Sequence, residues 1–433
     1  MAVADSSVAG RRWWPSGRLL PGPSLVFVLA SFGPQHVLSN AVVGAEHGYS
    51  LLWTAVALAM ARYVVLEASG RYVAVTGDSL IEGYARCGRW VAWLLLISIF
   101  VKRHLTNLTH ILLMGAAAAL LAPNHGPYTA GLYSMLLWAL GFGLMWWGRY
   151  PRIERCFRPL ALLLACCLIA VGLLARPDPG SILRGLLVPS ISGGGSFSNT
   201  LFLLMALLGS GAGSVNNLKY PAFLIEKWSR PDDRLRSNRR EALRSAVGLF
   251  FAALLVQVAV AAAAPGEQGL KTIADLAAVT TRVLSKAGRI AVCLGLAASA
   301  FSTFVGANAG YSLIASDIFH NVLYRRISVN GSQTRPTPGD LPAYRWALFL
   351  FAVPPLYVLG TNWQPVWLVL SSAAVMVVLL PLTVTVLLVL TNDRKRMGDH
   401  VNGWMEKTVM MLVVAASLYL TFRSVTSLFS VSD

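Results

Sequence analysis

Two stretches of this 433-residue chain set polar side chains beside helix breakers within otherwise apolar sequence. In the first, SLVFVLASFGPQHVLSNAVVGAEHGYSLLW at 24–53, an apolar run is interrupted at Gly33-Pro34-Gln35-His36 and followed by Asn40. In the second, LGSGAGSVNNLKYP at 208–221, the residues are Gly211, Gly213, Ser214, Asn216 and Asn217. Proline inside a helix removes a backbone donor and clashes with the preceding turn. Backbone groups released that way are too costly in hydrocarbon unless they line a cavity or pack against protein, so a broken helix at membrane depth marks a transport site. The resulting donor set is neutral: carbonyls released at 33–36 and 211–215, four amides, the Ser214 hydroxyl and the His36 imidazole. Such a set suits a cation that keeps most of its water, or a small polar solute, and is poor for tight Mn²⁺ binding. Two readings of His36 stay open. It is a ligand or proton-responsive group near neutral pH, or a donor that satisfies a released carbonyl.

A second group of candidates is charged. Lys102, Arg103 and His104, with Asn107 and His110 beyond them, fall inside an apolar span, where charges are functional hypotheses by default. An anion or proton path is one reading. Pairing with Glu67 of the preceding span, or snorkelling of the long side chains toward an interface, is the expectation favoured here. Cations at this depth would repel a metal ion. Glu226 with Lys227 reads as a gate pair or a solvated helix end, and Glu46 and His47 as an external mouth or ordinary interfacial residues. Asn308, with Ser302 and Thr303, faces the cavity or packs between helices. Glu67, Lys102, Arg103, His104, Glu226 and Asn308 are therefore the candidate relay or gate residues.

The elements that must position these groups are transmembrane helices. Hydrophobic residues make up 56% of the chain, mean hydropathy is +0.60, and charged residues are only 13%, about half the share of a soluble domain. Apolar runs long enough to span a bilayer recur throughout. They place eleven spans at about 24–44, 50–73, 90–121, 128–148, 159–175, 200–227, 243–264, 287–322, 344–360, 364–391 and 405–428. The eighth has a length that allows a tilt or a polar interruption at Ser302-Thr303…Asn308, and 265–285 reads as an external amphipathic segment.

The net charge of +17 gathers in alternate loops, at 74–89, 149–158, 228–243, 323–343 and 392–404. That is the cytoplasmic pattern of a membrane protein, not a nucleic-acid surface. It sets residues 1–23 inside as a cytoplasmic tail. No cleavable signal peptide is visible. The five cysteines show neither metal-ligand spacing nor a disulfide framework. No nucleotide loop, catalytic triad or metal-ligand cluster occurs, so neither an enzyme nor a bound cofactor is expected.

GAEHGYSLLW at 44–53, TGDSLIEGYAR from Thr76, and LLPLTVTVLLVLTNDRKRMG at 379–398 resemble the Nramp family of divalent-metal transporters. The likeness extends along nearly the whole chain in order and hydropathy. It implies an all-α membrane protein of LeuT-type fold, a 5+5 inverted repeat plus an eleventh helix. The first repeat would span 24–175, an external loop 176–199, the second repeat 200–391, and the eleventh helix and C-terminus 392–433.

The family's metal-binding motifs are altered here. Its Asp-Pro-Gly-Asn falls on Gly33-Pro34-Gln35-His36, so the aspartate is Gly33. Its Met-Pro-His falls within 213–217, so the methionine is Gly213 or Ser214. Ser372-Ala373 stands where the family often has a polar amide. Losing the thioether weakens discrimination against Mg²⁺ and Ca²⁺. The resemblance implies an inner-membrane symporter of a bacterium-like cell moving Mg²⁺ or Mn²⁺ by alternating access, with doubtful proton coupling. A small polar or anionic solute, or a non-transporting sensor or scaffold, is the alternative.

Overall fold

Pro34 fixes where the first described helix begins. A proline at the first helical position loses nothing, because that N–H has no intrahelical partner. In the computed structural model, helix α1 accordingly runs Pro34–His47, with Gly33 extended before it. The structure describes residues 33–122, 128–147, 176–191, 197–212, 215–221, 234–264, 273–319, 341–361 and 363–429, with a few isolated positions between these segments. Among the described residues there is no strand.

The helices follow in order: α2 Trp53–Thr76, α3 Leu80–Arg86, α4 Arg89–Ala119, α5 Thr129–Trp146, α6 Pro179–Leu187 and α7 Phe197–Gly211. A 3₁₀ turn at Val215–Leu218 follows α7. Then come α8 Arg234–Ala263, α9 Ile273–Asp317, α10 Pro342–Ala352, α11 Pro365–Asn392, α12 Arg394–Met397 and α13 Trp404–Phe429. The short helix α3 carries a complete capping box, with Ser79 and Glu82 each bonding the other's backbone N–H.

Among the described residues, seven helices are long and apolar enough to cross a membrane: Arg89–Ala119, Thr129–Trp146, Arg234–Ala263, Gly288–Asp317, Pro342–Gly360, Pro365–Asn392 and Trp404–Arg423. Helix α2 has the length too, but buries Arg62, Glu67 and Arg71. The described part of the sixth span is a shorter apolar helix, Asn199–Gly211. The start of the first span, 24–32, and most of the fifth lie outside the described residues. Large apolar side chains stay exposed on the outer faces, among them Leu132, Leu136, Leu140, Met411, Leu412 and Phe422, as expected where lipid is the solvent.

Two expectations are corrected. The eighth span is an unbroken helix through Ser302, Thr303 and Asn308, and starts at Ile273 within the segment read as external. The ninth ends as an α-helix at Ala352 and continues as a 3₁₀ segment, Pro354–Gly360. Pro354 and Pro355 lack the N–H groups an α-helix needs there.

The core joins both halves of the chain. Helix α1 packs on α7, α8, α9 and α11, while α4 packs on α5, α9 and α11. Small residues permit the closest approaches: a Cβ on Gly209 of α7 would lie 1.8 Å from the Ala373 carbonyl oxygen of α11.

Candidate functional site

Helix α1 starts in the middle of the bundle, and the end of α7 comes to meet it. At Gly33, a Cβ would lie 3.2 Å from Thr303 Oγ1 of α9. Gln35 Nε2 donates to Ser372 Oγ of α11 at 2.8 Å. The buried His36 has the Ser210 backbone and Arg62 as polar neighbours. Several buried polar atoms around this point lack a hydrogen-bond partner among the described residues: both ring nitrogens of His36, Ser39 Oγ and Thr303 Oγ1. Buried polar groups are nearly always paired, so these atoms stand out at the start of the helix.

Four of the carbonyls expected to be released, those of Gly33, His36, Gly211 and Ala212, accept hydrogen bonds. Gly33 O accepts from the His36 and Val37 N–H groups, and His36 O from Asn40 Nδ2 at 2.8 Å. Gly211 O accepts from Arg62 at 3.3 Å, and Ala212 O from Asn217 Nδ2 at 3.0 Å. The helix's own first turn and nearby side chains satisfy these oxygens, as backbone groups in an apolar interior require. Gly213 and Ser214 lie outside the described residues, as does the side chain of Asn216.

Lys102 and Arg103 neither pair with Glu67 nor snorkel. Glu67 meets Arg71 at 3.2 Å and Arg239 at 3.8 Å. Lys102 and Arg103 are only 3% and 2% exposed. Arg103 Nε donates to Asn308 Oδ1 at 3.0 Å, Nη1 to Thr106 Oγ1 at 3.0 Å, and Nη2 to Asn107 Oδ1. Asn308 is therefore a clamp on Arg103. Asn107 Nδ2 also donates to Asn308 Oδ1 at 2.9 Å and to Phe351 O at 2.6 Å.

The helical turn of about 100° per residue points His104 the other way. It stacks against Tyr357, with 3.3 Å between Nε2 and the hydroxyl. Glu226 falls outside the described residues. Glu46 bonds Asn199 at 2.6 Å, and His47 is buried.

Arg62 and Lys219 belong to this region although the sequence does not single them out. Arg62, fully buried, bonds Ser245 and the Gly211 carbonyl. Lys219, one residue past the 3₁₀ turn, lies 4.6 Å from the Tyr311 ring centroid, with Lys102 at 5.3 Å and Arg103 at 5.6 Å from the same ring. Their signal is present in the chain, since each is a cation within a mostly apolar stretch. Only the packing of α2, α4, α9 and the second break shows that they meet. Among the described residues, no three His, Cys, Asp or Glu side chains gather as a metal cluster.

The family model for natural resistance-associated macrophage protein-like proteins matches residues 24–427. The chain belongs to the Nramp family. Its relatives include a divalent metal cation transporter MntH of Chromohalobacter salexigens, 26% identical over 98% of this chain and 95% of that protein. Another is MntH of Pectobacterium carotovorum, 24% identical over 93% of each. A histidine-to-alanine variant of the Eremococcus coleocola manganese transporter superposes with a TM-score of 0.72 at 16% identity, covering 94% of this Nramp chain and 86% of its own. Mhp1, a nucleobase-cation-symport-1 family transporter, superposes at 0.57 and 13% identity over 94% and 92%. The fold is thus the all-α, LeuT-type fold of a multi-pass membrane protein, the 5+5 inverted repeat plus an eleventh helix.

Proposed function

We propose that this Nramp chain is a secondary transporter, not an enzyme, carrying a divalent metal cation by alternating access between the breaks at Gly33 and Gly211–Val215. The observation that carries the reading is the set of buried, unpaired polar atoms around Gly33: the His36 ring nitrogens, Ser39 Oγ and Thr303 Oγ1. They are neutral donors beside a broken helix in a fold shared with transporters. The metal relatives supply the class of cargo. Gln35, Asn40, Gly213, Ser214, Asn216 and Asn217 complete the proposed lining with Pro34.

Selectivity between Mg²⁺ and Mn²⁺ is weak in this reading. A soft sulfur ligand would favour Mn²⁺, and the family's methionine position holds Gly213 or Ser214. Protons are not coupled, because no carboxylate stands at Gly33. The repeats divide as 24–175 and 200–391, with the basic loops and the tail 1–23 on the cytoplasmic side of a bacterial plasma membrane, following the loop charges.

Flux into proteoliposomes tests it, with Mn²⁺, Mg²⁺ and Ca²⁺ outside and a pH dye inside. Mn²⁺ and Mg²⁺ are expected to enter at rates within about tenfold of each other, without acidification, and His36→Ala to slow both. No metal entry, with a control transporter active in matched vesicles, sinks the cargo assignment.

A further inference from the structure

Arg62, Lys102, Arg103 and Lys219 form a concentration of positive charge that a divalent cation alone does not explain. Three of the four head groups lie within 6 Å of one ring, that of Tyr311, which is itself buried. The charged groups acting on Lys102 are Lys219 and Arg103, and those acting on Lys219 are Arg103 and Arg62. The acceptors bonded to Arg103 are the neutral oxygens of Asn308, Thr106 and Asn107. No hydrogen bond reaches Lys102 Nζ or Lys219 Nζ from the described residues. The lysine stem of Lys219 lies along Gly310, whose missing side chain leaves it room.

Bringing like charges together in a low-dielectric interior is costly, and contacts with a ring face offset only part of that cost. A buried amine either gives up its proton or keeps it beside something of opposite sign, whereas the guanidinium of Arg103 keeps its charge. Glu67, the nearest buried carboxylate of α2, is already engaged by Arg71.

We propose that Lys102 and Lys219, with the fixed charge of Arg103 behind them, bind a compact monovalent anion such as chloride or bicarbonate beside the Tyr311 ring. The donors decide the class. Two ammonium groups are point charges that suit a small anion, and the Arg103 fork, which would grip a phosphate in bidentate fashion, is already taken up by the two asparagines and Thr106. Because Lys219 follows the second break directly, the anion lies beside the proposed cation path and cancels charge that would otherwise repel the cargo. That consequence rests on the proposed transport function, whereas the binding itself does not.

The test uses the full-length protein in detergent without metal, at constant ionic strength, replacing sodium gluconate by sodium chloride, bicarbonate or phosphate. Chloride or bicarbonate is expected to raise the thermal midpoint saturably, by about 2 °C or more. Lys219→Met and Lys102→Met are expected to lose that rise. Lys219→Arg is expected to keep the rise, as is Lys407→Met on the exposed face of α13.

If the methionine variants do not fold, Asn308→Asp carries the test: a fixed carboxylate beside Arg103 should abolish the rise. Equal midpoints in every salt overturn the proposal, as does a rise with phosphate alone or a rise that Lys219→Met and Asn308→Asp both retain. Metal flux is not read here, so failure of the anion site leaves the cation assignment standing, and the reverse holds.

Discussion

The guanidinium of Arg62 donates to the Gly211 carbonyl at 3.3 Å, tying the middle of α2 to the last turn of α7 at the second break. Its Nε also bonds Ser245 of α8 at 3.3 Å. Arg62→Ala leaves that carbonyl without its donor and is expected to cost about 2–3 kcal/mol, read as a lower SDS fraction at the unfolding midpoint. Arg62→Lys should recover little, because one ammonium does not span Gly211 and Ser245 as a guanidinium does. An unchanged midpoint in Arg62→Ala would show that the contact carries no stability.

Gly209 and Gly131 make opposite predictions for the same substitution. Gly209→Ala drives a methyl into the Ala373 backbone carbonyl of α11, at 1.8 Å before relaxation, and is expected to cost about 3 kcal/mol or prevent folding. Gly131→Ala in α5 meets nothing within 4 Å and should gain up to about 1 kcal/mol from helix propensity. Comparing the two unfolding midpoints checks both signs.

Arg71 links α2 to the segment before α13. It meets Glu67 at 3.2 Å, Asn402 Oδ1 at 2.6 Å, the carbonyls of His400 and Val401 at 3.2 and 3.3 Å, and Glu406 at 3.4 Å. Removing one member of a buried pair strands the other. Arg71→Leu is therefore expected to cost about 3–4 kcal/mol, and the double change with Glu67→Gln less than the sum of the two single changes. Strict additivity in that cycle would rule out the coupling.

Outside the spans, Asp178 caps α6, accepting from the Ser181 and Gly180 N–H groups at 2.8 and 3.3 Å. The Ser181 hydroxyl and these backbone donors hold its carboxyl below the usual carboxylate range. A lowered folded value means the cap is fully present at neutral pH and is lost as acid takes the carboxylate through that value. Amide protection in Pro179–Leu187, corrected for the intrinsic exchange rate at each pH, should hold at neutral pH and fall below the ordinary carboxylate range. Asp178→Ala should show low protection at every pH, and pH-independent protection in the parent would exclude the cap.

What the chain disclosed by itself was local. Gly33-Pro34 marks a helix start because proline and glycine act on their own backbone, and the recurring apolar runs mark spans because a bilayer demands length. Lys102 and Arg103 stand out as charges in such a run, but their partners depend on packing. Glu67 was the plausible acidic neighbour by span order. The bundle instead brings Asn308, some two hundred positions away, onto Arg103, and leaves Glu67 facing Arg71. Lys219 sat in the very stretch recognised as the second break. Its meeting with Tyr311 required knowing that α9 passes beside the 3₁₀ turn. The carbonyls read as released are spoken for because Arg62 and Asn217 reach back to them.

Helix α9 runs without interruption from Ile273 to Asp317, about 68 Å at 1.5 Å per residue, roughly twice the hydrocarbon thickness of a bilayer. Thr303, beside Gly33, and Tyr311, beside the three cations, are eight residues apart on this one rod, about 12 Å along its axis. The continuous backbone of α9 joins the two stations within little more than two turns of helix. The helix start at Gly33 and the charge cluster at Tyr311 are therefore neighbours on one helix, so that a change in the register of α9 would reach both.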